Sequence, residues 1–120
     1  MTVTTELAAA DDNPYLSEQG IFSVSFESEL APIGINRIHS WILHIETADS
    51  TPVEAAEIVV DGGMPAHAHG LPTQPRVVAD LGNGDYRLEG LRFHMPGLWE
   101  IAITIDVDGT RDRVVIALEL

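Results

Sequence analysis

From Ile21 onward apolar and polar residues alternate with a period of two, the spacing that sends successive side chains to opposite faces of a β-strand. Phe22, Val24 and Phe26 interleave with Ser23, Ser25 and Glu27. Trp41, Leu43 and Ile45 interleave with Ser40, Ile42, His44 and Glu46, and Trp99, Ile101, Ile103 and Ile105 with Glu100, Ala102, Thr104 and Asp106. Residues 55 to 61 carry Ala and Glu that would permit a helix start. The run is too short for a stable helix and meets Asp61-Gly62-Gly63, so it reads as strand. Residues 74 to 81 and 85 to 93 flank Asn83-Gly84, and Asp108-Gly109 leads into Val114, Ile116 and Leu118; both dipeptides are two-residue hairpin signals. About seven short strands result. Their turn spacing predicts an all-β, immunoglobulin-like antiparallel β-sandwich, with a closed barrel as the alternative.

Strand parity then sorts the loops. If consecutive strands run in opposite directions, residues 28 to 37, 62 to 73 and 94 to 97 share one pole. Residues 48 to 54, Gly82 to Gly84 and Asp108-Gly109 share the other. Both hairpin turns fall at the second pole, which leaves the less ordinary loops at the first.

Composition narrows the function. The chain has 120 residues, the size of one domain, with hydrophobic residues at 45% and charged residues at 21%. No apolar run approaches the length of a transmembrane helix. Six Arg, no Lys and nineteen acidic residues give a net charge of −13. Such a chain repels phosphate backbones and anionic headgroups and attracts cations, so nucleic acid is not an expected partner. The absence of cysteine excludes disulfides, thiolate metal sites and Cys nucleophiles. Residues 1 to 20 lack the basic start and apolar middle of a signal peptide. They read as a flexible acidic leader from which an export signal or anchor has been removed, followed by a single domain over residues 21 to 120.

The candidate chemistry lies in two loops, Met64-Pro65-Ala66-His67-Ala68-His69-Gly70 and His94-Met95-Pro96-Gly97. With His39 at the start of a strand, parity gathers His39, Met64, His67, His69, His94 and Met95 at one pole. His44 falls further along its strand and is left out. Imidazole and thioether suit copper, the thioether favouring Cu(I) and the imidazole accepting Cu(II) or zinc. In an extended segment His67 and His69, two apart, would put both rings on one face. His94 and Met95 would point oppositely in a regular strand unless the loop turns between them. The alternative reading is structural: loop histidines as solvated or hydrogen-bonding residues, and Met64 and Met95 as plugs under their loops.

The run Ile35-Asn36-Arg37-Ile38-His39-Ser40-Trp41, the segment from Gly62 to Thr73, Gly84-Asp85-Tyr86-Arg87, and Phe93-His94-Met95-Pro96-Gly97-Leu98-Trp99-Glu100 together resemble the FixH-like and YtkA-like family over about residues 21 to 120. That resemblance implies an exported or membrane-anchored β-sandwich, hence a periplasmic or extracytoplasmic location. It also implies a link with copper handling or cytochrome oxidase assembly, with a membrane protein or oxidase-assembly partner, and it supports His67, His69, His94 and the two methionines as ligands. The expected function is an extracytoplasmic module that holds or delivers a metal ion, copper before zinc. A metal-free interaction or structural domain, in which edge strands leave room for a homodimer, is the other expectation.

Other motifs carry less. Residues 106 to 112 hint at a calcium loop but lack its Gly at the sixth position and its later Glu, so a plain hairpin is expected. Tyr86 reads as a tyrosine-corner residue tying the Asn83-Gly84 turn down. Trp41 and Trp99 are expected to meet in the core. No nucleophile motif or phosphate loop occurs, and catalysis is not expected.

Overall fold

The computed structural model describes residues 13–120. Among them are nine strands: β1 Tyr15–Leu16, β2 Phe22–Ser28, β3 His39–Thr47, β4 Glu57–Met64, β5 His69–Gly70, β6 Arg76–Gly82, β7 Asp85–Leu91, β8 Leu98–Val107 and β9 Thr110–Glu119. The count exceeds the seven expected because β1 and β5 are two-residue strands, too short to leave a periodic trace in the sequence. All pairs are antiparallel.

The strands form two sheets, ordered β1-β2-β3-β7-β6 and β5-β4-β8-β9. Without the two short strands this is a four-plus-three arrangement in which the first, second, fifth and fourth long strands face the third, sixth and seventh. That is the immunoglobulin constant-type order, so the sandwich is established and the closed barrel is not what forms. The sheets approach each other at two seams, β4 beside β6 and β1 beside β9.

The alternation read from the sequence is the burial pattern. Phe22, Val24, Phe26, Trp41, Leu43, Ile45, Ile101, Ile103 and Ile105 are buried between the sheets, while Ser23, Ser25 and Glu27 face outward. Each fully buried aliphatic side chain contributes roughly 1.5–3 kcal/mol, so the period-two pattern is the main source of fold specification. Trp41 and Trp99 are both in this core, but Phe93 stands between them, with ring centroids at 6.5 Å from Trp41 and 5.3 Å from Trp99.

Two sequence boundaries move. β4 runs on through Gly62 and Gly63 to Met64 because β8 keeps pairing with it as far as Gly63↔Glu100 and β5 then pairs with Gly63 and Met64. The flexible leader expected over residues 1 to 20 meets the structure at residue 13, and residues 13–20 pack onto the domain. Tyr15 pairs with Val24 and Leu16 with Ser23, the Asn13 side chain bonds the Phe26 backbone at both its N–H and its C=O, and Ser17 is buried. The domain therefore begins before Ile21; residues 1–12 lie outside the described residues.

Both hairpins form as read. Asn83 and Gly84 have φ of 56° and 82°, and Asp108 and Gly109 have 52° and 84°, the two consecutive positive values of a type I′ turn. Asp106, first residue of the supposed calcium loop, accepts bonds from the Gly109 amide and the Arg111 guanidinium within its own hairpin.

Candidate functional site

Strand direction places the ends of β2, β4, β7 and β9 and the starts of β3, β6 and β8 at one pole, where the His and Met loops meet. The peptide between Met64 and His69 closes as a turn, with the His67 amide bonded to the Met64 carbonyl at 3.1 Å. Ala68 takes a positive φ of 53°. His67 and His69 are therefore not on one extended segment as expected; one sits on the turn and the other on β5. The turn nonetheless brings their rings to 6.2 Å between centroids at an interplanar angle of 28°.

His94 enters from the β7–β8 loop. Its ring lies 6.1 Å from that of His69 and 5.5 Å from that of Trp99, edge-on to both. The loop holding it is fixed at both ends: Asn36 donates to the Phe93 carbonyl at 2.7 Å, Gly97 and Leu120 exchange backbone bonds, and the Trp99 indole donates to the Met95 carbonyl at 3.0 Å. Three imidazoles from two distant segments thus form a row, His67–His69–His94. His67 and His69 are exposed, whereas His94 is half-buried and its Nδ1 is buried without a hydrogen-bond partner.

The other three predicted residues are placed differently. Met64 is 2% exposed, its Cε lying under Gly97, although it also lines a shallow surface groove with Pro65 and His69. Met95 is half-buried against the core. His39 is buried, its ring 5.8 Å from Phe93 and 6.4 Å from Trp41. Its Nδ1 bonds the Arg37 carbonyl at 2.9 Å, which makes that nitrogen the donor and leaves Nε2 a buried lone pair with no partner. Burial holds the His39 pKa below the ordinary 6.5, outweighing the bond to Arg37.

An ion held by two imidazole nitrogens at about 2.0–2.1 Å leaves the ring centroids roughly 5 to 6.5 Å apart. The spacings of 6.2 and 6.1 Å fall in that interval. The nitrogens themselves do not converge in this conformation, and among the described residues no group of three His, Asp or Glu side chains is disposed to hold an ion. Rotation of the two exposed rings about χ1 and χ2 would be required.

The surroundings are electrically unusual for this chain. Residues 30–40, 62–78 and 90–99 contain no Asp or Glu, but Glu29, Glu89, Glu100 and Glu119 flank them at the strand ends of this pole, and Asp61 and Glu100 line the groove that Met64 and His69 share. The pole offers imidazole nitrogen and thioether sulfur donors, with carboxylates confined to its rim.

A cluster that the sequence reading left out lies on the outer face of the first sheet. His44 Nδ1 bonds Asp85 Oδ1 at 2.6 Å and its Nε2 bonds Glu46 Oε2 at 2.9 Å. The hydrogen bonds to Glu46 and Asp85 push the His44 pKa above 6.5 against the effect of burial. The period of two puts His44 and Glu46 on one face, but Asp85 joins them only through the β3–β7 register.

A two-sheet immunoglobulin-type sandwich with a row of histidines at one pole is the class of protein these features define. The YtkA-like family matches residues 19–104, and the chain belongs to that family. No curated protein matches the sequence.

Proposed function

We propose that this domain is a non-catalytic, extracytoplasmic metal-binding module that holds or delivers a copper ion at the His pole. His67, His69 and His94 supply imidazole nitrogens, and Met64 or Met95 a thioether. The observation that carries this reading is the row of three imidazoles drawn from two segments at one end of a strongly acidic chain, with the Nδ1 of His94 buried and unpartnered among the described residues. Leaving such a nitrogen unbonded costs about 1–3 kcal/mol, and an ion or a water at that atom would remove the cost. Imidazole and thioether donors favour copper over calcium or magnesium, with zinc the nearest competitor. Membership of the YtkA-like family supports the extracytoplasmic location, a membrane anchor and a partner among membrane or oxidase-assembly proteins.

Competition titration with Cu(I) under anaerobic conditions, and with Cu(II) in air, tests the reading. Binding tighter than about micromolar that disappears in the His67→Ala, His69→Ala, His94→Ala triple variant, with circular dichroism unchanged, is the expected result. Absence of such binding for both oxidation states overturns it. One observation favours a second reading, a metal-free interaction domain: the donor nitrogens do not converge as the rings stand. Under that reading the triple variant would leave metal content unchanged at zero and weaken association with a partner or a second copy.

A further inference from the structure

The distribution of charge separates the two ends of the molecule. Among the described residues, Arg87 is paired with Glu29 and Glu89, Arg111 with Asp106 and Arg113 with Glu18. The remaining three arginines, Arg37, Arg76 and Arg92, all belong to the acid-free segments, and none has a carboxylate ion-pair partner among the described residues. Arg76 lies across from Glu89 on β7, whose carboxylate is engaged by Arg87. The Arg92 guanidinium is held instead by the neutral Asn36 side chain at 3.0 Å, beside Arg37. Ile38, the next residue, is 69% exposed, and Leu98 on the far side of the His94 loop is 40% exposed. The pole thus combines three guanidinium groups without ion-pair partners, exposed apolar side chains and histidines, on a protein whose net charge is −13.

We propose that this pole is a docking face for a partner protein that presents a carboxylate-lined surface. Arg with apolar neighbours is the composition enriched at protein interfaces, and its planar fork suits carboxylates. The acidic remainder of the molecule repels such a partner from every other face, so the charge separation orients the encounter as well as attracting it. Screening at physiological salt, over about 8 Å, confines the attraction to the pole itself. An extended polyanion or an anionic bilayer would bring the acidic flanks within range; a protein patch of ordinary interface size, about 800 Å², need not. The proposal requires no bound ion and is tested on the metal-free protein, so its failure and that of the copper reading are separable.

The test is a nuclear magnetic resonance titration of the ¹⁵N-labelled, metal-free chain with a Glu-rich peptide, and with its Lys-rich counterpart. The Glu-rich peptide is expected to shift the amides of residues 35–38, 66–71 and 92–98, with the shifts largely lost at about 0.5 M salt, where the Debye length falls to a few ångströms. The Arg37→Ala, Arg92→Ala double variant should bind the peptide at least about tenfold more weakly. Equal binding by the double variant, or shifts scattered over the acidic faces, overturns the proposal. Sedimentation of the protein with phosphatidylglycerol vesicles in the absence of any peptide effect would also overturn it, in favour of a lipid surface. Concentration-dependent shifts of the same amides in the free protein would overturn the assignment to a different partner and make the acidic surface that of a second copy.

Discussion

The hydroxyl of Ser17 donates a 2.6 Å hydrogen bond to the carboxylate of Asp112, joining residues 95 positions apart. The same carboxylate accepts the amides of Gln19, Ile21 and Arg113, and Ser17 in turn accepts the Phe22 amide. This knot fastens the β1–β2 connection to β9, closing one seam of the sandwich. Asp112→Ala leaves several buried donors unsatisfied and should cost about 2–4 kcal/mol by denaturant unfolding. Burial alone would raise the Asp112 pKa, but the four bonds outweigh it and hold the group below 3.8. Its contribution is therefore complete above that value and is lost as pH falls through the lowered one. The stability gap between the wild type and Asp112→Ala should narrow in acid. A gap independent of pH would mean that the carboxylate is not charged in the folded state.

Tyr86 is a second tie. Its hydroxyl donates to the Val53 carbonyl at 2.7 Å and accepts from the Ala56 amide at 3.1 Å. It therefore fastens the β3–β4 connection and not the adjacent Asn83-Gly84 turn that the sequence suggested. Tyr86→Phe should cost about 1–2 kcal/mol. Hydrogen exchange should quicken at residues 53–56, while amides of the β6–β7 hairpin stay protected; the opposite pattern would assign the tie to the hairpin.

His39 and His44 lie on one strand with opposite protonation preferences. His39 is held neutral, so its contribution is complete above 6.5 and is lost as pH falls below that value toward its lowered pKa. His44, between Glu46 and Asp85, is held charged, so its contribution is complete below 6.5 and is lost as pH rises through its raised pKa. The thermal midpoint of His44→Gln should fall short of wild type at about pH 5.5 and approach it by about pH 8.5. His39→Phe should gain on wild type as the medium is acidified. Parallel pH profiles for all three proteins would contradict both assignments.

Gly97 has a φ of 131°, and a Cβ there would come within 2.7 Å of Met64 Cε. Gly97→Ala should cost about 1–2 kcal/mol from backbone strain and the displaced methionine. A Met64→Ala background should recover the packing part of that loss, measured as a double-mutant coupling. No coupling would mean that strain alone accounts for the cost.

The alternation of Phe22, Val24 and Phe26, and of the corresponding residues in the later strands, made the sandwich legible. The Asn83-Gly84 and Asp108-Gly109 turns fixed strand direction and hence the pole at which His67, His69 and His94 gather. What stayed hidden depends on contacts between segments remote in sequence. β1 has two residues and no period, and the connection that follows it is held by Asp112, remote in sequence. His44 lies along its strand away from the His and Met pole, and its cluster is not legible in the sequence because Asp85 is brought opposite only by register. The turn between His67 and His69 was hidden as well, since Ala68 carries no compositional mark of a left-handed residue.

The two type I′ hairpins share the pole of the sandwich that faces away from the histidines. A tether, dye or surface linkage introduced at Asn83 or Asp108 would thus hold the molecule upright with its imidazoles presented outward, a ready geometry for immobilised capture and single-orientation spectroscopy.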